Sequence, residues 1–387
     1  MATPTSTNTL EELLDSLTVE AELYERLEDN ALRCFACGHR CLIKDGRRGI
    51  CKVRFNDGGV LKAPYGYVGA LQCDPTEKKP FFHILPGSDT LTFGMLGCDF
   101  HCPYCQNWLT SQTLRDNTAG VEPALITPQG LAAMARKYGA SLVGSSYNEP
   151  LITSEWAVAV FKEAIRAGFQ CVYISNGNAT RETLEYIRPH VVGYKIDLKS
   201  MSKKGYQQLG GVLQNTLDGI RMVHDMGFWL EVVTLTIPGF NDSDEELTAA
   251  AKYLCSISPD IPWHVTAFHK DYKMTDPDNT SAQTLLRAAA IGQEAGLRFV
   301  YAGNLPGQVG HYENTYCPHC HDLLIARYGY VIRAYRLTAD GRCPKCDTSI
   351  PGIWTENPAA VRIGGVADLM RRMPRPVNRF RSDVFQP

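Results

Sequence analysis

Residues 90 to 303 alternate short apolar runs with longer amphipathic segments, which is the pattern of consecutive βα units. Because parallel strands need crossover helices, the pattern predicts an α/β fold built as a partial or full (β/α) TIM-type barrel. An open doubly wound sheet gives the same alternation, but no GxGxxG motif follows the first strand, which disfavours a dinucleotide-binding sheet. The candidate strands are TLTFGML (90–96), SLVGSSY (141–147), CVYIS (171–175), VVGYKIDL (191–198), WLEVVTLTI (229–237), WHVTAF (263–268) and LRFVYAG (297–303).

The chain contains 14 cysteines, and most of them are clustered. Clustered cysteines in a chain without a secretion signal bind metal more often than they form disulfides. Two of the isolated residues, Cys171 and Cys255, lie in apolar runs and are expected to be small buried hydrophobic residues. The groups are Cys34, Cys37, Cys41 and Cys51; Cys98, Cys102 and Cys105; and Cys317, Cys320, Cys343 and Cys346.

The two outer groups each offer four thiols. The last group consists of two C-x2-C pairs separated by 22 residues, which predicts a zinc-ribbon-like unit over residues 307–356. Iron is the alternative there, because tetrahedral sulfur sites accept both metals. The first group lies in a cysteine-rich unit over residues 31–88 and predicts a structural metal site, with His39 as a substitute ligand. An iron–sulfur cluster is the alternative for this first group.

The central group has the spacing C-x3-C-x2-C and directly follows the first candidate strand, with Tyr104 before its last cysteine. In a barrel this places the group at the carboxyl ends of the strands, where active sites are built. Three thiolates can bind three irons of a four-iron cluster and leave the fourth iron open to another ligand. The sequence therefore indicates an open metal site between two closed ones.

This triplet, with its aromatic residue, resembles the signature of the radical S-adenosylmethionine (SAM) superfamily, and later strand ends carry further similar segments. SYNEP (146–150) resembles the glycine-glycine-glutamate-proline motif, with Tyr147 and Asn148 at the glycine positions. SNGN (175–178) resembles the segment that contacts the SAM ribose and carboxylate. KIDLKS (195–200) resembles the Asp-x-Lys element of glycyl-radical-enzyme activases, and TLTIPGFND (234–242) resembles the turn beside the adenine.

The resemblance implies a barrel of the radical SAM type over residues 89–306, in which a [4Fe-4S] cluster reductively cleaves SAM. The resulting 5′-deoxyadenosyl radical abstracts hydrogen from a substrate, and a protein such as flavodoxin or ferredoxin supplies the electron. Iron is assigned to Cys98, Cys102 and Cys105, and Asp197 and Lys199 are assigned to SAM, a cation or the substrate. The residues expected to contact SAM are Tyr104, Asn148, Glu149, Ser175, Asn176, Asn178, Ile237 and Pro238, with Asp197 shared.

From about residue 31 to residue 356 the chain resembles the AmmeMemoRadiSam system radical SAM enzyme, which is related to pyruvate formate-lyase activating enzyme. This subfamily implies Memo-type and AMMECR-type partner proteins but implies no particular reaction. In EKKPFFH, Glu77, Lys78 and His83 could bind a substrate, and a buried ion pair would explain them equally well. His264 and His269 could face the lumen, although a structural role is favoured for both.

Two classes of function remain from the sequence. One is a radical SAM enzyme, which includes a glycyl-radical-enzyme activase as a special case. The other is a non-catalytic zinc or iron–sulfur adaptor protein. An adaptor has no need of Glu149, Asn178 and Asp197 at successive strand ends, so the enzyme is preferred.

Composition and the flanking segments exclude some partners. A net charge of −2 gives no general attraction for nucleic acid. The sequence has no apolar run of membrane-spanning length and no basic stretch followed by an apolar block at its start, so we expect a cytoplasmic protein without membrane attachment. Residues 1–30 are predicted as a helical segment, with one or two amphipathic helices over 10–33, and residues 357–387 as a basic tail.

Overall fold

The computed structural model describes residues 9 to 365 and the backbone of residues 375 and 376. Most of the basic tail predicted over residues 357–387 therefore lies outside the described residues. The strands are β1 (Thr18–Glu20), β2 (Tyr24–Arg26), β3 (Leu32–Cys34), β4 (Leu42–Ile43), β5 (Phe55–Asp57), β6 (Val60–Pro64), β7 (Tyr67–Val68), β8 (Ala70–Pro75), β9 (Asp89–Gly94), β10 (Ala124–Leu125), β11 (Leu142–Ser145), β12 (Gln170–Ser175), β13 (Gly193–Asp197), β14 (Trp229–Thr236), β15 (Trp263–Ala267), β16 (Val300–Gly303), β17 (Thr315–Tyr316), β18 (Leu323–Tyr328), β19 (Val331–Tyr335) and β20 (Arg375–Pro376). The α-helices are α1 (Leu10–Ser16), α2 (Trp108–Ser111), α3 (Pro128–Lys137), α4 (Ser154–Arg166), α5 (Arg181–Ile187), α6 (Lys203–Gln208), α7 (Leu213–Asp225), α8 (Asp244–Ile257) and α9 (Ala282–Glu294).

A large sheet with the order β16-β15-β14-β13-β12-β11-β9-β8-β20 forms the centre of the molecule. Strands β9 and β11 to β16 are parallel and correspond to the seven predicted strands, whereas β8 pairs antiparallel with β9 and β20 pairs antiparallel with β8. Because consecutive parallel strands are neighbours throughout, the sheet winds in one direction, as in a (β/α) barrel and unlike a doubly wound sheet. No closed ring of strands is detected in the described part of the chain.

Helices cover the outer face of this sheet, and α4 shows why the sequence forms them. Trp156, Val160, Phe161 and Ala164 are fully buried at helical spacing, while Arg166 at the end of the helix is exposed. Burial of each large apolar side chain contributes about 1.5 to 3 kcal/mol. The apolar stripe therefore fixes α4 against the sheet.

The N-terminal region corrects the sequence-based prediction. Among residues 9–34, α1 is the one α-helix and Glu28–Asn30 form a short 3-10 helix, whereas most of the residues that were predicted to continue the helical segment form β1, β2 and β3. The reason is visible in the sequence: after Leu17, the apolar residues Val19, Ala21 and Leu23 alternate with acidic residues, which is the period of a strand. β1 then pairs with β6, and β2 pairs with β3.

The N-terminal cysteine unit (residues 31–57) packs at the carboxyl ends of the parallel strands. The Gly38 N–H donates to the carbonyl oxygen of Asn178 at 2.7 Å, just beyond the end of β12. Thr180 Oγ1 donates to the carbonyl oxygen of Phe35 at 2.6 Å. These contacts fix the unit to the edge of the sheet that carries the predicted SAM segments.

The C-terminal cysteine unit (residues 315–350) contains the antiparallel sheet β17-β18-β19 and contacts the segment of residues 81–85. Arg327 Nη2 donates to the carbonyl oxygen of Phe82 at 2.9 Å. In the same segment, Ile84 packs with Leu142, which opens β11, and beside Trp229, which opens β14. The C-terminal cysteine unit is thus associated with the amino ends of the strands, opposite the N-terminal cysteine unit.

Among residues 9–365, no helix is long and apolar enough to cross a membrane.

Candidate active site

The three central cysteines lie in the loop between β9 and α2, at the carboxyl edge of the sheet. The end of β9, from which this loop starts, lies close to the chain that follows β11, since a Cβ on Gly94 would lie 2.4 Å from the carbonyl oxygen of Ser146. Burial raises the pKa of the Cys102 thiol to about 12, an effect that the nearby Lys199 ammonium opposes. Thiolates at this site therefore need a metal's positive charge to balance theirs.

The spacing of these three thiols fits a cluster better than a single ion. Within residues 9–365, the thiols of Cys98, Cys102 and Cys105 do not all lie within 4.8 Å of one another. In a four-iron cluster each thiolate binds a different iron, so the sulfur atoms do not converge on one point. The donor set and its spacing match a cluster with one open iron.

Glu149, the carboxylate of the SYNEP segment, joins the ends of β11 and β12. Its Oε1 accepts from Ser175 Oγ at 2.7 Å and from the Leu151 N–H at 3.1 Å, and its Oε2 accepts from the Asn176 N–H at 2.8 Å. Burial raises the pKa of Glu149 to about 8, and the neighbouring Asp99 carboxylate adds to the rise. A cationic ligand such as an ammonium group would restore the charged form of this carboxyl group.

Tyr147 and Asn148 precede Glu149 and stand at the two glycine positions of the glycine-glycine-glutamate-proline motif. Tyr147 has φ of +70°, the left-handed conformation that glycine adopts readily. Its hydroxyl bonds Thr92 Oγ1 at 2.8 Å and accepts from Lys79 Nζ at 3.1 Å. Asn148 Oδ1 accepts from the Met95 N–H at 3.0 Å, so this side chain secures the start of the cysteine loop.

Asp99 connects the cysteine loop to the SNGN segment and was missed by sequence reasoning. Its Oδ1 accepts from Asn176 Nδ2 and its Oδ2 from Asn178 Nδ2, each at 2.7 Å. Asp99 is fully buried and follows Cys98 directly. A single aspartate within a loop has no sequence pattern of its own, and only the folded chain brings it to the two asparagines.

Lys195, which bonds Asp197 on β13, belongs to the same charged group as the Asp-x-Lys element and was also missed by sequence reasoning. Asp197 bonds both Lys195 and Lys199, the latter at 3.3 Å. Burial alone would raise the pKa of Asp197, but the two ammonium groups hold it below its ordinary value. The carboxylate therefore stays charged beside the cysteine loop, with one excess positive charge in the group of three.

A cavity of about 450 Å³ adjoins these groups and is called the central cavity here. Of the residues predicted from the sequence, those that line it include Cys102, Tyr104, Cys105, Asp197 and Lys199. The other residues predicted to contact SAM do not line the central cavity: Asn148, Glu149, Ser175, Asn176, Asn178 and Ile237 are buried, and Pro238 borders a separate cavity of about 500 Å³.

Polar residues of the EKKPFFH segment divide between the cavity and the core. Glu77 and Lys78 line the central cavity, and Lys78 Nζ lies 3.3 Å from Asp74. His83 does not line it; its ring nitrogens bond the Pro351 carbonyl oxygen and the Tyr301 hydroxyl, both at 2.7 Å. Burial lowers the pKa of His83 to about 4. His83 therefore has a structural role.

The two later histidines also differ from each other. His264 lines the central cavity, and its Nε2 lies 2.7 Å from Oε2 of Glu231, a buried carboxylate that the sequence did not single out. Burial alone would raise the pKa of Glu231, but its hydrogen bond to His264 holds it below its ordinary value. His269 is exposed and bonds Gln106 at 2.9 Å. Only His264 faces the lumen.

The C-terminal cysteines form a compact metal site. Their four thiols lie within 4.8 Å of one another, with Cys317 3.5 Å from Cys346 and Cys320 3.6 Å from Cys343. Four sulfur donors at about 2.3 Å from one tetrahedral ion would stand at such separations. The prediction of a four-cysteine metal site is confirmed in its geometry, while zinc and iron remain equal fits to the donors.

The N-terminal thiols are arranged differently. Cys34, Cys37 and Cys51 are buried and Cys41 is half-buried, yet within residues 9–365 no three of these thiols lie within 4.8 Å of one another. Within the same residues His39 forms no such group with these thiols. Its Nε2 lies 4.0 Å from Asp99 Oδ2. Four ligands of one zinc must converge, so the structural metal site that the sequence favoured for these thiols stays a prediction.

Comparison with known proteins gives the family. The radical SAM superfamily matches residues 93–252. An uncharacterized protein of Methanocaldococcus jannaschii is 36% identical over 334 residues, which are 86% of this chain and 98% of that protein. The isethionate sulfite-lyase activating enzyme of Desulfovibrio desulfuricans is 25% identical over 148 residues, which are 38% of this chain and 46% of the enzyme. A solved domain of a pyruvate-formate lyase-activating enzyme from Bacteroides vulgatus is 22% identical with a TM-score of 0.38, and the match covers 42% of this chain and 98% of that domain. With its matched core, its cysteine triplet and its parallel sheet, the chain belongs to the radical SAM superfamily.

Proposed function

We propose that this radical SAM enzyme holds a [4Fe-4S] cluster on Cys98, Cys102 and Cys105 and abstracts hydrogen from a substrate bound in the central cavity. One observation carries the proposal. The cysteine loop stands at the carboxyl edge of the parallel sheet, where Cys102 and Cys105 border the cavity that also receives Asp197 and Lys199. Active sites of strand–helix barrels are built at this edge.

When bound, the cluster supplies one electron that cleaves SAM and thereby provides the 5′-deoxyadenosyl radical. The chain's own groups would hold the reactants. Glu149 is placed to receive a cationic group of the cofactor, because its buried carboxyl group lacks a cationic partner among the contacts described above. Asp197 and its two lysines, which line the central cavity, would bind a charged group of the cofactor or the substrate.

The substrate would enter beside the EKKPFFH segment. Glu77, Lys78 and Lys79 line the central cavity together with Tyr330, which lies in the turn between β18 and β19. A cavity of 450 Å³ is within the range of pockets for small ligands, about 300 to 1,000 Å³. The lining combines charged groups with apolar side chains such as Phe82 and Leu235, so its chemistry and size support a small substrate that carries a charged group.

A glycyl-radical-enzyme activase is the second candidate. The Asp197-x-Lys199 element and the partial similarity to the isethionate sulfite-lyase activating enzyme favour it. In that case the hydrogen would come from a glycine of a partner protein. The Memo-type and AMMECR-type partners rest on the sequence resemblance alone and stay predictions.

Anaerobic reconstitution tests the main proposal. The full chain is loaded with iron and sulfide, reduced with dithionite and incubated with SAM, and 5′-deoxyadenosine is quantified by chromatography. We expect the parent to form 5′-deoxyadenosine and Cys102→Ala to fall to the assay background. Cys255→Ala, which removes an isolated thiol on α8, is the matched control and should behave like the parent.

The enzyme proposal is lost if the reconstituted parent carries a cluster and forms no 5′-deoxyadenosine, or if Cys102→Ala matches the parent. The activase candidate makes a separate prediction. Incubation with a glycyl-radical enzyme of the isethionate sulfite-lyase class would then produce a protein-bound glycyl radical by electron paramagnetic resonance (EPR). Absence of that signal, with SAM cleavage intact, leaves the small-molecule version.

A further inference from the structure

We infer that Cys34, Cys37, Cys41 and Cys51 hold a second [4Fe-4S] cluster. The inference does not depend on the proposed reaction, because it concerns the N-terminal cysteine unit and not the central triplet.

The first observation is the environment of these thiols. Cys34, Cys37 and Cys51 are buried and Cys41 is half-buried, and backbone N–H groups of the same unit lie beside their sulfur atoms: those of Ala36 for Cys34, His39 for Cys37, Ile50 for Cys41, and Val53 and Arg54 for Cys51. Backbone N–H groups directed at cysteine sulfur stabilise the thiolates that bind iron, and they tune the potential of a cluster.

The second observation is the spacing, read against the C-terminal cysteine unit of the same chain. There, four thiols lie within 4.8 Å of one another, as one tetrahedral ion requires. The N-terminal thiols are mutual electrostatic neighbours, since Cys34 and Cys51 each raise the pKa of Cys37, yet no three reach that separation within residues 9–365. Four neighbouring thiols that do not converge on one point suit ligands to four different irons.

The third observation is a buried cation at the site. Arg54 is fully buried, and its guanidinium acts electrostatically on Cys34 and Cys51. Two of its nitrogens bond Glu155, while Nε is buried without a hydrogen-bond partner. Four thiolates around a four-iron cluster carry net negative charge, which an adjacent guanidinium stabilises.

The site adjoins the central one. Asp99, which follows the cluster ligand Cys98, acts electrostatically on Cys37 and lies 4.0 Å from His39. The main chain between Cys37 and His39 is fixed by a hydrogen bond of 2.7 Å that the Gly38 N–H donates to the carbonyl oxygen of Asn178. The second cluster would therefore be a neighbour of the first and separated from the C-terminal metal site by the depth of the sheet.

The test removes the first cluster and asks what iron remains. In the full chain carrying Cys98→Ala, Cys102→Ala and Cys105→Ala, anaerobic reconstitution should leave about four irons and four sulfides per chain, against about eight in the parent. The reduced triple variant should show a [4Fe-4S] signal by EPR, and Mössbauer spectroscopy should show one cluster type. Adding Cys37→Ser should remove this iron, while adding Cys255→Ser should not.

Retention of the C-terminal metal and an unchanged circular dichroism spectrum show that each variant is folded. The inference is overturned if the folded triple variant binds no iron, or if it holds a second zinc in place of iron. Either result leaves the proposed function standing whenever the parent still cleaves SAM. Conversely, a parent that binds about eight irons and does not cleave SAM contradicts the proposed function and supports the second cluster.

Discussion

The two cysteine-rich units lie at opposite edges of one parallel sheet, and their thiols are spaced differently. The C-terminal cysteine unit packs against Phe299 and Tyr301 at the amino end of β16 and gathers four thiols within 4.8 Å. The N-terminal cysteine unit is fixed to the carboxyl ends, beside Asn178 and Thr180, and its thiols are more widely spaced. In barrel enzymes the amino face serves stability and the carboxyl face serves chemistry.

The number of cysteines in a unit therefore does not by itself assign the unit a role. Both units offer four thiols, but within the described residues only the C-terminal cysteine unit gathers them within 4.8 Å of one another. This unit packs at the amino ends of the strands, and its Tyr330 reaches the central cavity. Changes at the amino edge should therefore reduce stability and spare SAM cleavage. Changes at the carboxyl edge should affect iron binding and SAM cleavage.

The largest expected effect on stability comes from opening the compact site. Cys343→Ser removes one of four converging sulfur ligands, and the free energy of unfolding should fall by several kcal/mol, a part of the ~10 kcal/mol that structural zinc contributes in small metal units. Metal analysis should show one ion fewer per chain. SAM cleavage per folded molecule, measured well below the unfolding temperature, should equal that of the parent.

A Cys343→Ser protein that stays folded but no longer cleaves SAM would contradict the division between the two edges. Cys255→Ser is the control for thiol removal, because Cys255 lies apart from all three cysteine groups.

The second-largest effect on stability is expected at the buried ion pair that joins the N-terminal cysteine unit to α4. Arg54 bonds Glu155 through two nitrogens, at 2.5 and 3.0 Å, and both side chains are buried. Arg54→Met leaves the carboxylate without its cation, so the free energy of unfolding should fall by about 3 to 5 kcal/mol in urea denaturation. The double variant Arg54→Met/Glu155→Leu should recover part of the loss. If the free energy of unfolding of Arg54→Met lies within about 1 kcal/mol of that of the parent, the ion pair contributes little and the expected loss of about 3 to 5 kcal/mol is wrong.

Much of the sheet was predictable because its signals are local. Each predicted parallel strand is a buried apolar run followed by a helical pattern, and all seven occur in chain order. The failure at β1 to β3 has the opposite cause. These strands have three residues each, and β1 pairs with β6, which lies about forty residues further along the chain. Because the local sequence shows no such partner, the spacing of Leu and Tyr predicted a helix there.

The site was predictable where residues carry a spacing and was missed where they act alone. The cysteine triplet and Asp197-x-Lys199 are patterns, whereas Asp99 and Glu231 are single carboxylates that become significant through partners distant in sequence. The placement of the two cysteine units at opposite edges depends on packing of the segment at residues 81–85, which no local motif records.

The third prediction concerns pH at the amino edge. The pKa of His83 is about 4 in the folded protein and about 6.5 in an unfolded chain. Glu231 opposes this lowering, and Arg327 and His264 reinforce it. Between these pH values the unfolded chain binds more protons, so stability is fully present above pH 6.5 and falls as pH decreases towards 4, by about 3 kcal/mol from this group.

His83→Gln removes the titrating ring, so its unfolding free energy should fall less steeply over the same pH range than that of the parent. The measurement is urea denaturation at a series of pH values, with the slope as the readout. Equal slopes for the two proteins would show that His83 is not held neutral by burial. SAM cleavage at pH 7.5 should be retained, as for the other amino-edge variant.

The smallest expected effect is at the carboxyl edge and separates positioning from stability. Asp99→Asn replaces an accepting oxygen by an amide that faces the amides of Asn176 and Asn178, so one buried donor loses its partner at a cost of about 1 to 3 kcal/mol. The cysteine loop would also be held less firmly against the SNGN segment, and SAM cleavage should fall about 10- to 100-fold.

Asp260→Asn, at a surface pair with Arg298, is the matched control and should leave cleavage unchanged. Cys343→Ser is expected to lose at least as much stability with full cleavage, so a loss of cleavage in Asp99→Asn cannot be attributed to stability alone. If cleavage per folded molecule is the same in Asp99→Asn as in the parent, Asp99 secures the fold at this edge and does not position the cluster loop.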